Sequence, residues 1–73
     1  MHSQIVMDAT GDTRHHFDEN DQAAVAEAER RFMELALAGF TAAKRTGSGT
    51  SELIRKFDPT AEEMLFIPRL QGG

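Results

Sequence analysis

The chain lacks cysteine, and this absence removes two common ways of stabilising a small protein. No disulfide can form, and structural zinc needs about four Cys or His ligands at set spacings, whereas the sequence has 3 histidines. A chain of 73 residues has room for one domain, which buries only about 60% of the surface that its unfolded chain exposes. We therefore expect a single domain over residues 1–73 that depends on its apolar core, with or without a partner subunit.

An excess of basic residues and a long apolar run are also absent. Lys and Arg number 8 against 12 Asp and Glu, and the resulting net charge of −4 argues against nucleic acid or an anionic membrane surface as the main partner. No apolar run approaches the ~18 residues that predict a transmembrane helix. The opening Met1-His2-Ser3 has the character of neither a signal peptide nor a transit peptide. We expect a cytoplasmic protein that binds no nucleic acid and no membrane.

The N-terminal segment predicts a β-hairpin. Residues 4–9 are apolar and β-branched, residues 10–12 (Thr-Gly-Asp) have the composition of a turn, and residues 13–17 form the returning strand. Because side chains alternate along a strand, the second strand should present two different faces. One face contains Thr13, His15 and Phe17, and the other contains Arg14 and His16.

The stretch from Gln22 to Ala38 predicts a helix, because Ala, Glu, Leu and Met dominate it. Residues 18–21 (Asp-Glu-Asn-Asp) offer N-cap candidates and negative charge at the positive end of the helix. Gly39 is the expected C-terminal stop, and Glu27 and Arg31 have the i,i+4 spacing of an ion pair. Apolar residues at helical spacing predict one buried stripe of Val25, Ala28, Phe32, Leu35 and Ala36, widened by Met33 and Leu37.

The remaining chain predicts three strands. Residues 40–45 and 51–57 flank a Gly-rich loop at 46–50, and a turn at 58–61 (Asp-Pro-Thr-Ala) precedes a strand at 64–67. The predicted order is ββαβββ. It indicates an α+β domain in which one helix packs on one face of a four- to five-stranded sheet, mixed or antiparallel.

None of the candidate chemical sites has a complete set of residues. His15 and His16 should point to opposite faces of a strand, so they cannot chelate one ion. The loop at 46–50 lacks the lysine and the following helix of a phosphate loop. Capping and turns account for the acidic clusters, and neither a cysteine nor a G-x-S-x-G motif supplies a nucleophile. We therefore expect no catalytic residue, no metal site, no cofactor and no enzymatic activity.

The C-terminal pair Gly72-Gly73 is the feature that does point to a function. By chance, about one chain in two hundred would end in two glycines at a glycine frequency of roughly 7%, although termini are often small, frayed residues. Residues without a Cβ can pass through the narrow channel of an enzyme that activates a C-terminal carboxylate. A flexible tail, predicted here for residues 69–73, would let that carboxylate reach a distant active site.

Over most of its length the chain resembles the ubiquitin-like, or β-grasp, proteins. The similarity lies in the opening strand at 4–6, the Thr10-Gly11 turn, the helix after an acidic stretch, and the ending Arg69-Leu70-Gln71-Gly72-Gly73. The resemblance implies a β-grasp fold and a small modifier or sulfur carrier whose terminal carboxylate is adenylated by a partner enzyme. The alternative is a non-enzymatic protein-interaction or structural module, such as a small bacterial or phage protein, which could form homo-oligomers.

Overall fold

The computed structural model describes residues 1–45 and 49–68. In this part of the chain one helix and five strands follow in the predicted order ββαβββ, which confirms the α+β class. The elements are β1 (His2–Asp8), β2 (Gly11–Phe17), α1 (Gln22–Leu37), β3 (Phe40–Arg45), β4 (Ser51–Ile54) and β5 (Glu63–Pro68).

The five strands form one mixed sheet in the order β2-β1-β5-β3-β4. β1 and β5 are parallel, with Ser3 opposite Glu63 and Val6 opposite Phe66. The other neighbouring strands are antiparallel. The last strand of the chain is therefore the central strand of the sheet, while β2 and β4 are its edges.

The helix begins at the predicted residue, Gln22, and ends at Leu37, one residue before the predicted end, with Ala38 as its C-cap. The Asp21 carboxylate accepts hydrogen bonds from the backbone N–H groups of Ala23 and Ala24 at 3.1 and 3.2 Å, which makes Asp21 the N-cap. At the other end Gly39 adopts a φ of 99°, and its N–H donates to the carbonyl of Ala36. This φ lies in the region that favours glycine, so Gly39 ends the helix as predicted.

The core lies between α1 and the sheet face beneath it. The ring of Phe32 meets Phe66 and Phe57 edge-on, with centroids 5.7 and 6.0 Å apart. Such aromatic pairs add to the area that they bury. The buried cluster consists of Val6, Phe32, Ala42, Ala61, Met64 and Phe66, and Leu35, Phe40, Ile54 and Phe57 pack against it.

The buried stripe of the helix is narrower than its sequence predicts. Ala28 and Phe32 are buried, and Val25 and Leu35 are half-buried. The predictions for three other apolar residues were wrong: Met33 is 59% exposed, Leu37 is 87% exposed, and Ala36 is also exposed. At 3.6 residues per turn, Met33 and Leu37 lie about 100° and 140° around the helix from Phe32, so both point away from the sheet.

The predicted pair of Glu27 with Arg31 is replaced by two other contacts. Glu27 pairs with Arg30 at 2.6 Å, whereas Arg31 donates to the side-chain oxygen of Gln4 at 2.9 Å. Gln4 is fully buried beneath the helix, and its Nε2 donates to the carbonyl of Ala28. Leaving a buried amide oxygen without a donor costs about 1–3 kcal/mol, more than the exposed ion pair would contribute. Arg31 therefore bonds inward.

Strand β4 is shorter than predicted, because it ends at Ile54 and not at residue 57. Ile54 is the last residue to pair with β3, opposite Ala42. Beyond it the chain leaves the sheet, and Phe57 contacts the rings of Phe32 and Phe17. If β4 continued along the edge of the sheet, Phe57 could not reach these rings. The aromatic contacts of Phe57 therefore replace further strand pairing with β3.

Candidate functional site

The two adjacent histidines of β2 point to opposite faces of the sheet. His15 lies opposite the buried Gln4, and His16 lies opposite Ser3. Burial, together with the charge of Arg31, lowers the pKa of the His15 imidazole. Among the described residues, no group of three or more His, Asp and Glu side chains lies close enough to hold a metal ion.

A histidine that the sequence pattern does not single out, His2, is buried at the start of β1. Its Nδ1 is 2.5 Å from the carbonyl oxygen of Ala61, and its Nε2 is 3.0 Å from a carboxylate oxygen of Glu19. The ring also lies against Phe17. These contacts attach the N-terminal strand to the turn before β5 and to the segment before α1, so His2 has a structural role. The sequence could not show this role, because it depends on the pairing of β1 with β5.

Asp18, Asp21 and Asp58 have the capping and turn contacts that the sequence predicts. Asp18 accepts from the N–H of Asn20 at 2.9 Å, while Asp21 caps the helix. Asp58 accepts from the hydroxyl and N–H of Thr60 at 2.6 and 2.9 Å and from the Lys44 ammonium at 3.0 Å. The Thr60 hydroxyl first, and then Lys44, lower the pKa of Asp58 to about 2. Asp58 thereby stabilises the turn that leads into the central strand.

Two of the sequence predictions fall on residues that the structure does not describe. The predicted Gly-rich loop at 46–50 is one of them, since residues 46–48 lie outside the described ranges. The tail at 69–73, with Gly72 and Gly73, lies wholly outside the described residues. Both assignments stay predictions.

Strand β5 ends directly before the residues of the predicted tail. Pro68 is the last residue of that strand and lies opposite Phe40, whereas the pairing with β1 ends at Phe66. Proline has no N–H to donate to a ladder, and the end of a strand tolerates it where the interior would not. The described chain thus ends at Pro68, beside the first residue of β3 and close to the end of α1.

The sheet has a second face, turned away from the helix, which carries apolar side chains. Because side chains alternate, the strand neighbours of the core residues Val6, Ala42 and Phe66 lie on this side. The register places Leu65 between Ile5 and Ala43, and Leu53 beyond Ala43. We call this the open face and define it by Ile5, Met7, Ala43, Leu53, Leu65 and Ile67.

No described helix covers the open face. Ile5, Ala43 and Leu65 at its centre are buried, whereas Leu53 is 72% exposed and Ile67 is 44% exposed. Ile67 directly precedes Pro68, so the open face reaches the residue from which the tail leaves. Within the described residues, the open face thus presents two large exposed apolar side chains, Leu53 and Ile67, and the second of them lies next to the last described residue before the predicted tail.

Within the described residues, no helix is long and apolar enough to cross a membrane. Comparison of the chain with protein-family models, with curated proteins and with solved structures finds no match.

Proposed function

We propose that the chain is a ubiquitin-like modifier or carrier that acts through the C-terminal carboxylate of Gly73. The observation that carries this proposal is the position of β5. It is the last strand of the chain, yet it lies at the centre of the sheet and parallel to β1. The one described helix follows the first hairpin and packs on one face. A β-grasp fold has a central last strand and a helix in this position, and the sequence then continues to Gly72-Gly73.

The proposed chemistry takes place at one carboxylate. A partner enzyme binds the chain and ATP, an oxygen of the Gly73 carboxylate attacks the α-phosphate, and pyrophosphate leaves. A nucleophile then attacks the carbonyl carbon of the acyl adenylate and releases AMP. An amine gives an amide bond to a target protein, and hydrosulfide gives a thiocarboxylate, in each case with AMP as the leaving group. Without side chains, Gly72 and Gly73 can enter a channel in which a Cβ would collide.

A second candidate function is that of a non-covalent interaction module, and the open face favours it. Leu53 is 72% exposed and Ile67 is 44% exposed on this face, whereas Ala43 and Leu65 between them are buried. Large apolar side chains that are exposed on one face of a sheet offer contacts that another protein could bury. In this reading the terminal glycines have no chemical role.

One experiment separates the two functions. The chain is expressed with an N-terminal tag in the cells from which it comes, and its complexes are isolated under native and under denaturing conditions. A modifier or carrier gives covalent species that survive denaturation and disappear when Gly72 and Gly73 are deleted. Gln71→Ala is the matched control, because it changes the tail but keeps the terminal glycines.

The interaction module predicts a different pattern. Its complexes are lost on denaturation, persist after deletion of Gly72 and Gly73, and disappear in Leu53→Asp, which places a charge on the open face. That pattern, with no covalent species in the unaltered chain, would contradict the proposal of a tail-activated protein and support the second candidate.

A further inference from the structure

Strand β2 is an exposed edge of the sheet. Five of its seven residues are exposed, and only β1 pairs with it among the described strands. Natural proteins usually protect such edges with charged side chains, lysine above all, or with proline, a bulge or a covering element. The strand from Gly11 to Phe17 contains no proline and no lysine, and its pairing with β1 is continuous over all seven residues. An edge of this kind can accept another strand.

The hairpin geometry determines which backbone groups point outward from β2. A two-residue turn of Ala9 and Thr10 separates the paired residues Asp8 and Gly11. The pair that closes such a turn exchanges backbone hydrogen bonds, and every second pair after it does the same. Gly11, Thr13 and His15 therefore direct their N–H and C=O groups toward β1. The intervening residues Asp12, Arg14 and His16 direct theirs to the free edge.

The charges of β2 complement those of a second, antiparallel β2 in one register. With Thr13 on a two-fold axis perpendicular to the sheet, Asp12 lies opposite Arg14 of the second copy, and Arg14 lies opposite Asp12 of that copy. These residues have the outward-directed backbone groups, so each opposed pair can exchange two hydrogen bonds. Opposite charges in directly opposed positions stabilise a pair of strands. Neither Asp12 nor Arg14 has an ion-pair partner within the described residues.

The neighbouring registers are electrostatically worse. If Arg14 lay on the axis, it would face Arg14 of the second copy, and like charges in opposed positions destabilise a pair of strands. If His15 lay on the axis, Arg14 would face His16, and no Asp12–Arg14 pair would form. Only the register centred on Thr13 pairs both charges of the strand.

We propose that the chain forms a symmetric homodimer through antiparallel pairing of two β2 strands, centred on Thr13. The pairing joins two five-stranded sheets into one continuous sheet with both helices on the same side. The two open faces then form one surface on the other side, and the Asp12–Arg14 pairs cross the junction between them. The C-terminal end of β5, from which each tail leaves, does not take part in the junction.

A charge-exchange experiment tests the dimer by sedimentation velocity at low ionic strength over a range of chain concentrations. The unaltered chain should sediment as a concentration-dependent dimer, and added salt should weaken it. In the Asp12→Arg variant, each opposed pair of residues 12 and 14 consists of two arginines. In the Arg14→Asp variant, each of these pairs consists of two aspartates. Each should weaken the dimer by at least about tenfold, because like-charge contacts at an interface cost several kcal/mol. The double variant restores opposite charges and should recover the dimer.

Glu29→Arg is the matched control, since it makes the same charge change on the exposed side of α1 and should leave dimerisation intact. Circular dichroism of each variant verifies that the monomer remains folded. A chain that stays monomeric up to about 1 mM would overturn the proposal. So would a dimer that Asp12→Arg leaves unchanged, or one that the double variant fails to restore although it folds.

Discussion

At the centre of the helix, Phe32 is almost fully buried and lies edge-on between the rings of Phe57 and Phe66. Phe32→Ala removes a ring that packs on β5 and on the segment after β4, and it should lower the free energy of unfolding by about 3–5 kcal/mol. A small domain has only about 5–15 kcal/mol in total, so the variant should be largely or wholly unfolded at moderate urea concentration.

The matched control is Met33→Ala, the next residue along the helix, which is 59% exposed. Surface substitutions usually change stability by less than about 0.5 kcal/mol. Urea denaturation followed by circular dichroism compares the two variants. Equal losses at positions 32 and 33 would mean that the helix packs through a different face.

Asp58 makes the stability of the domain depend on pH in the acid range. Hydrogen bonds from Thr60 and Lys44 lower the pKa of its carboxyl group to about 2 in the folded chain, against an ordinary value of 3.8. A carboxyl group with a depressed folded-state pKa stabilises the fold above its ordinary pKa. That contribution is lost as the pH falls through the folded-state value.

Asp58→Asn should therefore reduce the loss of stability between about pH 4 and pH 2. Urea midpoints measured across this range, for the unaltered chain and the variant, test the prediction. Glu29→Gln removes a carboxylate from the exposed side of α1 and serves as the control. A slope that Asp58→Asn leaves unchanged would show that other carboxylates control the acid transition.

At the scale of elements, the N-terminus of α1 depends on Asp21. Its carboxylate satisfies the N–H groups of Ala23 and Ala24, which have no partner within the helix. Asp21→Ala should cost about 0.5–2 kcal/mol, whereas Asp21→Ser, another good N-cap, should lose much less. Thermal denaturation of the two variants measures the difference. If serine is no better than alanine, the cap contributes little.

Local patterns in the sequence predicted most of the elements. The helix was found because its capping residues and its helix-forming composition agree, and β3 occupies its predicted residues 40–45. β4 was predicted too long, because nothing in its alternation shows that Phe57 turns away to contact Phe32 and Phe17. The burial of Gln4 could not be predicted from the sequence either, because it depends on hydrogen bonds with Arg31 and with a carbonyl group of the helix.

At the scale of the whole molecule, the element order was predictable but the order of strands in the sheet was not. The sequence left a mixed and an antiparallel sheet open, because hydrophobic alternation shows which face of a strand is buried and not which strand lies beside it. Long-range pairing decides this, and it places β5 between β1 and β3. That pairing also determines which side chains share a face, so Leu53 and Ile67 lie on one face of the sheet only in the folded chain.

Peptide mass spectrometry of the protein from its own cells is a direct test of the proposed activation and transfer of the Gly73 carboxylate. Trypsin cleaves after Arg69, so a conjugated chain leaves residues 70–73, Leu-Gln-Gly-Gly, attached to a lysine of its target. A sulfur carrier instead yields this C-terminal peptide with one oxygen exchanged for sulfur. We expect one of these two products, and neither should form from a chain that lacks Gly72 and Gly73. Recovery of the peptide solely as the free carboxylate, under every growth condition tested, would contradict it.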